Sequence, residues 1–279
     1  MRQCVPSQSS YKELSQPGMP WALLALLLAL APAAQADAFK LGGSCLVFDY
    51  DTNFPAGSTH TSSYQWTGAC DAEGYATGAG TLQAFWDKQL DEVSVGTLVK
   101  GRIEGRALTT TPSGVRFEGA YSHGRRTGYG VATWKGKAGL VIHYEGGFVD
   151  GRADGYGVET LSNGWRYEGE FVHGHRDGHG IETGSIPPGI RYRYEGDFAA
   201  GFWSGEGSLQ WSTGDRYVGS FKQGKCDGYG TWTWENGKQY RGLFVQGQPM
   251  DRSLSTRIGG GPAVPDFPAG ISILSQNDL

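Results

Sequence analysis

Few residues of this 279-residue chain have the types and spacing of reactive chemistry. His173, His175 and His179 with Asp177 form a short imidazole and carboxylate cluster of the kind that ligates zinc. They fall across a turn and its return strand, so a shared face is not expected, and they read as exposed turn polar groups. Gly219-x4-Gly224-Lys225 has the spacing of a phosphate-binding loop, but Cys226 replaces the Mg²⁺-ligating Ser/Thr and no helical segment follows. There is no G-x-S-x-G, H-E-x-x-H or C-x-x-C. These residues point to no catalysis, no metal and no cofactor.

Four cysteines remain to be placed: Cys4, Cys45, Cys70 and Cys226. Trp21 to Ala31 is an apolar run of 11, too short to span a bilayer, followed by Ala34-Gln35-Ala36 as a small-x-small cleavage pattern. Residues 1–36 therefore read as a signal peptide, with Met19 an alternative start, and the mature chain as periplasmic or secreted. Its loss removes Arg2, Lys12 and Glu13 and leaves a net charge of −5. A mildly acidic chain supplies no basic surface for nucleic acid or anionic lipid. In an oxidising compartment Cys45 and Cys70 are expected to form a disulfide closing a loop of about 25 residues.

The elements that must position these side chains follow from glycine. Its 46 copies are about 16% of the chain, roughly twice the usual share. Only 12 prolines and uneven glycine spacing exclude collagen, and 9 Trp, 14 Tyr and 12 Phe exclude disorder. Between residues 94 and 247 lie 34 of the glycines, in the frame aromatic-x-Gly-x-aromatic-x-x-Gly-x-x-x-Gly-x-Gly. It recurs as FEGAYSHGRRTGYG from Phe117, YEGGFVDGRADGYG from Tyr144, YEGEFVHGHRDGHG from Tyr167, YEGDFAAGFWSGEG from Tyr194 and YVGSFKQGKCDGYG from Tyr217. Weaker copies start at Trp66, Ser94 and Tyr240, about eight in all, spaced by 23, 27 or 28 residues. The phosphate-loop spacing is this frame in disguise.

The frame closely resembles the MORN repeat (membrane occupation and recognition nexus). That resemblance implies an all-β fold, an elongated single-layer antiparallel sheet of stacked β-hairpins, and a role in mediating interactions. The residues agree with it: in Tyr167-Glu168-Gly169-Glu170-Phe171 the period is two, so both rings and Gly169 share one face. Gly174 to Gly178 reads as the turn and Gly180 onward as the returning strand. Ser113-Gly114, Asn163-Gly164, Thr213-Gly214 and Asn236-Gly237 read as tight primed turns between hairpins. Glycine inside a strand is explained by a ring laid over it. Four segments result: 1–36 signal, 37–65 N-terminal cap, 66–249 repeat array, and 250–279 a flexible tail.

Three features are candidate sites. The aromatic face (Tyr144, Phe148, Tyr167, Phe171, Tyr194, Phe198, Tyr217, Phe221) reads either as a groove for lipid, glycan or peptide or as the core of the sheet. Arg116, His143, Arg166, Arg193 and Arg216 precede the leading rings, and Glu118, Glu145, Glu168 and Glu195 follow them. Both columns face away from the rings, as a recognition stripe or a solvated outer face. Extra residues at Phe85–Val93, Lys135–Ile142 and Gly184–Arg191, the last containing Pro187-Pro188, are expected to project as interaction loops. Cys226 occupies a slot that other copies fill with Arg, Ile, Ala or Trp, and reads as a tolerated surface substitution. The function expected is a non-catalytic scaffold for a protein partner in the envelope or extracellular space. Lipid or envelope-glycan binding through the rings is the alternative, and a metal-dependent enzyme a remote third.

Overall fold

A computed structural model describes residues 39–42, 44–48, 62–136 and 139–250 of the protein. The expected signal segment and nearly all of the expected tail lie outside these residues. No described residue is helical. The strands are β1 (Phe39–Gly42), β2 (Cys45–Phe48), β3 (Ser62–Trp66), β4 (Ala69–Cys70), β5 (Ala76–Trp86), β6 (Gln89–Val99) and β7 (Arg102–Thr110). They continue with β8 (Arg116–Ser122), β9 (Arg125–Lys135), β10 (Val141–Val149), β11 (Arg152–Leu161), β12 (Arg166–Val172) and β13 (His175–Ile186). The last are β14 (Ile190–Ala199), β15 (Phe202–Trp211), β16 (Arg216–Lys222), β17 (Lys225–Thr233), β18 (Gln239–Val245) and β19 (Gln248–Pro249).

From β5 to β19 each strand pairs antiparallel with its sequence neighbours, so the contacts are local hairpin contacts throughout. At the N-terminal end β3 pairs with β5, and β1 pairs with β2. The Cys45–Cys70 disulfide ties β2 to β4, with the two Cα atoms 5.4 Å apart.

The register explains the glycine excess. Gly119, Gly130, Gly146, Gly157, Gly169, Gly180, Gly196, Gly207, Gly219, Gly230 and Gly242 are successive cross-strand partners, one per strand from β8 to β18. The rings lie on this row. A Cβ on Gly180 would meet the Tyr167 ring at 2.5 Å, and one on Gly169 would meet the Gly180 Cα at 2.6 Å. Tyr144 covers Gly157, and Tyr194 covers Gly207, in the same way. The ring-over-glycine reading therefore holds, and it extends to the backbone of the facing strand.

Each hairpin then bends. Gly169 faces Gly180 while Phe171 faces Arg176, so Glu170 alone opposes Asp177, Gly178 and His179. This bulge needs Gly178 at φ +98°, a left-handed conformation that costs glycine nothing. The hairpin turn is His173-Gly174, both at positive φ, as a type I′ turn requires. Two expectations are thereby corrected. Gly178 belongs to a bulge within β13 and not to the turn, and the primed turns are at these tips. At the opposite end Leu161 and Trp165 close a three-residue loop in which Gly164, and not Asn163, has positive φ. A type I turn plus a left-handed glycine has this form.

Tips stack through the backbone. The amides of Gly151, Gly174, Gly201, Gly224 and Gly247 donate to the carbonyls of Arg126, Ala153, Arg176, Trp203 and Cys226 in the preceding hairpin, at 2.8–2.9 Å. Each repeat is thus bonded to the next at its tip as well as along its strands.

Candidate interaction faces

The two faces of the sheet differ sharply in accessibility. On the inner face Tyr144, Tyr167, Tyr194 and Tyr217 are 0% exposed, and Phe148, Phe171, Phe198 and Phe221 no more than 4%. They form one continuous ladder of edge-to-face contacts. Phe171 meets Tyr144 at 5.0 Å and Tyr167 at 5.1 Å, Phe198 meets Tyr167 at 4.8 Å and Tyr194 at 5.2 Å, and Phe221 continues to Tyr217. Such a contact contributes about 0.5–1.5 kcal/mol beyond area burial, and every other one here joins different repeats. The tyrosine hydroxyls turn back into the chain: Tyr144 donates to the Gly147 carbonyl and Tyr167 to that of Glu170, both at 2.9 Å. The eight rings expected as a groove or a core are packed as core, and none offers an open surface to a ligand.

The expected loops are mostly strand. Lys135 pairs with Val141 and Ile186 with Ile190, so the additional residues lengthen hairpins. Ile142 is 3% exposed, and Gly184 lies beneath the Tyr192 ring. Neither can belong to a projecting loop, because each continues the inner face by the period of two. Lys135, Pro187, Pro188 and Arg191 do stand exposed near the hairpin ends. The long hairpins are clasped to the following one: Ser212 exchanges bonds with Arg191, as Ser162 does with Val141 fifty residues earlier.

On the outer face Arg116, Arg166 and Arg193 bind Glu118, Glu168 and Glu195 at 2.5–2.7 Å, along the strand rather than across it. Beside this double column stand Tyr129, Tyr156 and Tyr229, 62%, 61% and 74% exposed. Tyr129 donates its hydroxyl to Glu145, and Tyr156 donates to Glu168 at 2.6 Å. The Tyr156 and Arg166 donors hold the Glu168 carboxyl below its usual range. These tyrosines occupy the position between the last two glycines of the frame. Their recurrence at 129, 156 and 229 was the signal, hidden because the frame leaves that position free.

At the tips the carboxylates of Asp154, Asp177 and Asp227 accept the backbone N–H of His173, Ala200 and Gln246 in the next hairpin, each at 3.1 Å. Asp177 is therefore engaged with a backbone, and His179 lies 3.5 Å from Asp197 instead. Among the described residues no three His, Cys, Asp or Glu side chains converge as a metal site. Gly219 to Lys225 forms a hairpin arm and its turn.

Repeated hairpins, a glycine row under a ring ladder and one bulge per unit are features of a sequence family. A family model, MORN repeat, matches residues 117–137, 144–166, 167–185, 194–216 and 217–239. The chain carries an array of MORN repeats. Comparison with curated proteins gives no match. The weaker copies outside the match continue the same register, with Gly80 facing Gly96 and Gly230 facing Gly242. MORN arrays are in general scaffolds for protein or membrane interaction.

Two further inner columns of the MORN array were not legible in the frame. One, at the residue two before each leading ring, contains Val115, Ile142, Trp165 and Tyr192, all buried. The other is the Cys226 slot, where Ala76, Ile103, Ala153, Arg176, Trp203 and Cys226 are at most 8% exposed and Arg126 is half-buried. The surface reading of Cys226 is corrected: it is 1% exposed, and burial pushes its thiol up to about 12. The slot looks permissive in sequence because its occupants trade volume with their neighbours. Trp203 stacks on Tyr194 at 4.6 Å, whereas Arg176 lies over Trp165 at 4.9 Å.

Proposed function

We propose that the protein is an exported, non-catalytic scaffold that binds a protein partner through the outer face of its MORN array, in the periplasm or the extracellular space. The observation that carries this reading is the contrast between the faces: the inner rings are sealed, and the outer face presents the tyrosine row beside paired Arg and Glu. Tyr and Arg are the residues that dominate protein interfaces, since they bring rigid area and directed hydrogen bonds. Export is supported by the apolar run at residues 21–31 and by the Cys45–Cys70 disulfide, which an oxidising compartment maintains. The exposed end residues Lys135, Pro187, Pro188 and Arg191 extend the proposed surface to one edge.

The test is proximity labelling and pulldown in the native compartment, with wild type against a Tyr129→Ala/Tyr156→Ala variant. A partner captured by wild type and lost by the variant, with folding intact, supports the outer face. Shortening 184–191 to the 23-residue form separately tests the edge. Lipid or glycan binding through the inner rings has its own readout: saturable, salt-insensitive capture by liposomes or glycan beads, lost on Tyr167→Ala/Tyr194→Ala in a folded chain. That outcome would replace the proposal.

A further inference from the structure

The largely apolar inner face carries two fully buried acids in consecutive hairpins. In β11 and β13, the slot that holds Leu82, Ala132, Leu209 and Trp232 in other hairpins holds Glu159 and Glu182, which are 0% and 2% exposed. A single buried cation, Arg176, serves both. Its Nη1 donates to Glu182 Oε2 at 2.7 Å, and its guanidinium is held among the rings of Trp165, Tyr167 and Phe198 at 4.9, 5.6 and 5.9 Å. Glu182 Oε1 accepts the Tyr192 hydroxyl at 3.0 Å. Glu182 is thus paired at both oxygens. Among the described residues neither oxygen of Glu159 has a hydrogen-bond donor.

The charge count decides what Glu159 must be. With both acids ionised the cluster carries a net −1 in a ring-lined interior, and the extra charge belongs to the carboxylate that has no donor. With Glu159 protonated the cluster is neutral. A buried carboxylate without a donor is costly, and taking up a proton is the ordinary escape. Every element packed on Glu159 leaves it that way. Tyr144 from β10 and Tyr167 from β12 are its register partners, Arg176 and Glu182 face it from β13, and β14 contributes Tyr192, already engaged with Glu182.

We propose that Glu159 is a proton-dependent lock in the MORN array: protonated, it closes the seam between the hairpins of residues 144–166 and 167–185, and its ionisation to bulk water loosens that seam. Burial raises the Glu159 carboxyl to about 7, Arg176 opposing and Glu182 adding to the shift. The sign follows from proton linkage. Between about 4.5, its ordinary value, and about 7, the folded seam holds a proton that the opened seam releases, so stability falls as pH rises through that window. Below the window both states are protonated and the lock is fully closed. Above it both are ionised and the loss is constant.

Hydrogen exchange of the full chain, expressed as protection relative to intrinsic rates from pH 4.5 to 8.5, reads this directly. Protection of β11 to β13 is expected to fall by up to about tenfold per pH unit within the window and then level off. Strands β15 to β17 of the same molecule, with Leu209 and Trp232 in the slot, are the internal reference and stay flat by comparison. Glu159→Leu, the residue the slot already carries elsewhere, should reduce the difference, leaving only what Glu182, itself raised by burial, contributes, and exposed Glu145→Gln should leave it unchanged. A second readout needs no variant to be stable: the wild-type infrared spectrum near pH 6 should contain a protonated-carboxyl band that titrates away by pH 8.5. The proposal is overturned if β11 to β13 and β15 to β17 share one pH profile, or if no such band is present.

Discussion

The Asp154 carboxylate accepts the backbone N–H of His173, nineteen residues ahead, at 3.1 Å. His173 is the first residue of a tip turn and sits at φ +50°, so the bond fixes a turn the backbone would otherwise leave readily. Asp177 and Asp227 repeat the contact with Ala200 and Gln246. In each case the Asp of one hairpin holds the tip of the next.

Replacing Asp154 by Ala is expected to cost about 1.5–3 kcal/mol, the range for a hydrogen bond with a charged acceptor. The loss should concentrate at the following tip. Amide exchange at His173 and Gly174 should quicken while Ala200 keeps its protection. Uniform loss over the whole array would count against a local clasp.

The glycine row separates two kinds of glycine. Gly180→Ala places a methyl 2.5 Å from the Tyr167 ring, so the ladder must shift, and destabilisation of about 1–3 kcal/mol is expected. Gly164→Asn meets no atom within 4 Å and places at φ +89° a residue that tolerates left-handed backbone, so it should cost well under 1 kcal/mol. Chemical denaturation of both variants checks the order. Gly169→Val, whose Cβ would meet facing backbone, should be the most severe of the three.

The Cys45–Cys70 bridge spans 25 residues and joins strands at the start of the sheet. Chain-entropy arguments assign such a loop about 3 kcal/mol. A Cys45→Ala/Cys70→Ala variant should lose protection first in β3 to β5, with β13 to β17 affected least, because coupling in a repeat array passes between neighbours.

Cys226 is buried, and its thiol is raised to about 12, so the reactive thiolate is scarce at neutral pH. Folded protein should resist iodoacetamide at pH 8, and the same protein in denaturant should be alkylated at this position. Rapid labelling of the native state would show that the slot is open.

Much of this architecture was written along the chain. The frame glycines and rings alternate with period two, and a glycine in a strand, a ring two residues before it and a glycine facing it can be inferred from local sterics. The Cys45–Cys70 pairing was legible from the expected compartment and the spacing. Cys226, Ile142 and Gly184 were misplaced for one reason. Their neighbours in sequence resemble loop or turn, but a bulge at Gly178 and its counterparts, and strand pairing out to Lys135 and Ile186, return the inner-face alternation to them. The tyrosine row at 129, 156 and 229 is hidden in the sequence because the frame tolerates any residue there.

The sequence by itself determined the unit, its length, its alternation of rings and glycines, and hence a stack of hairpins, because those depend on contacts within one repeat and its neighbour. The three-dimensional arrangement decided which face is open and where charge is buried. Whether Tyr167 lines a groove or a core depends on Phe198, 31 positions away. Whether Glu159 is a surface acid or a buried one without a donor depends on Arg176 aiming its bond at Glu182, 23 residues beyond Glu159 along the chain. Accessibility and protonation are properties of everything that surrounds a side chain, and only the packed sheet brings those surroundings together.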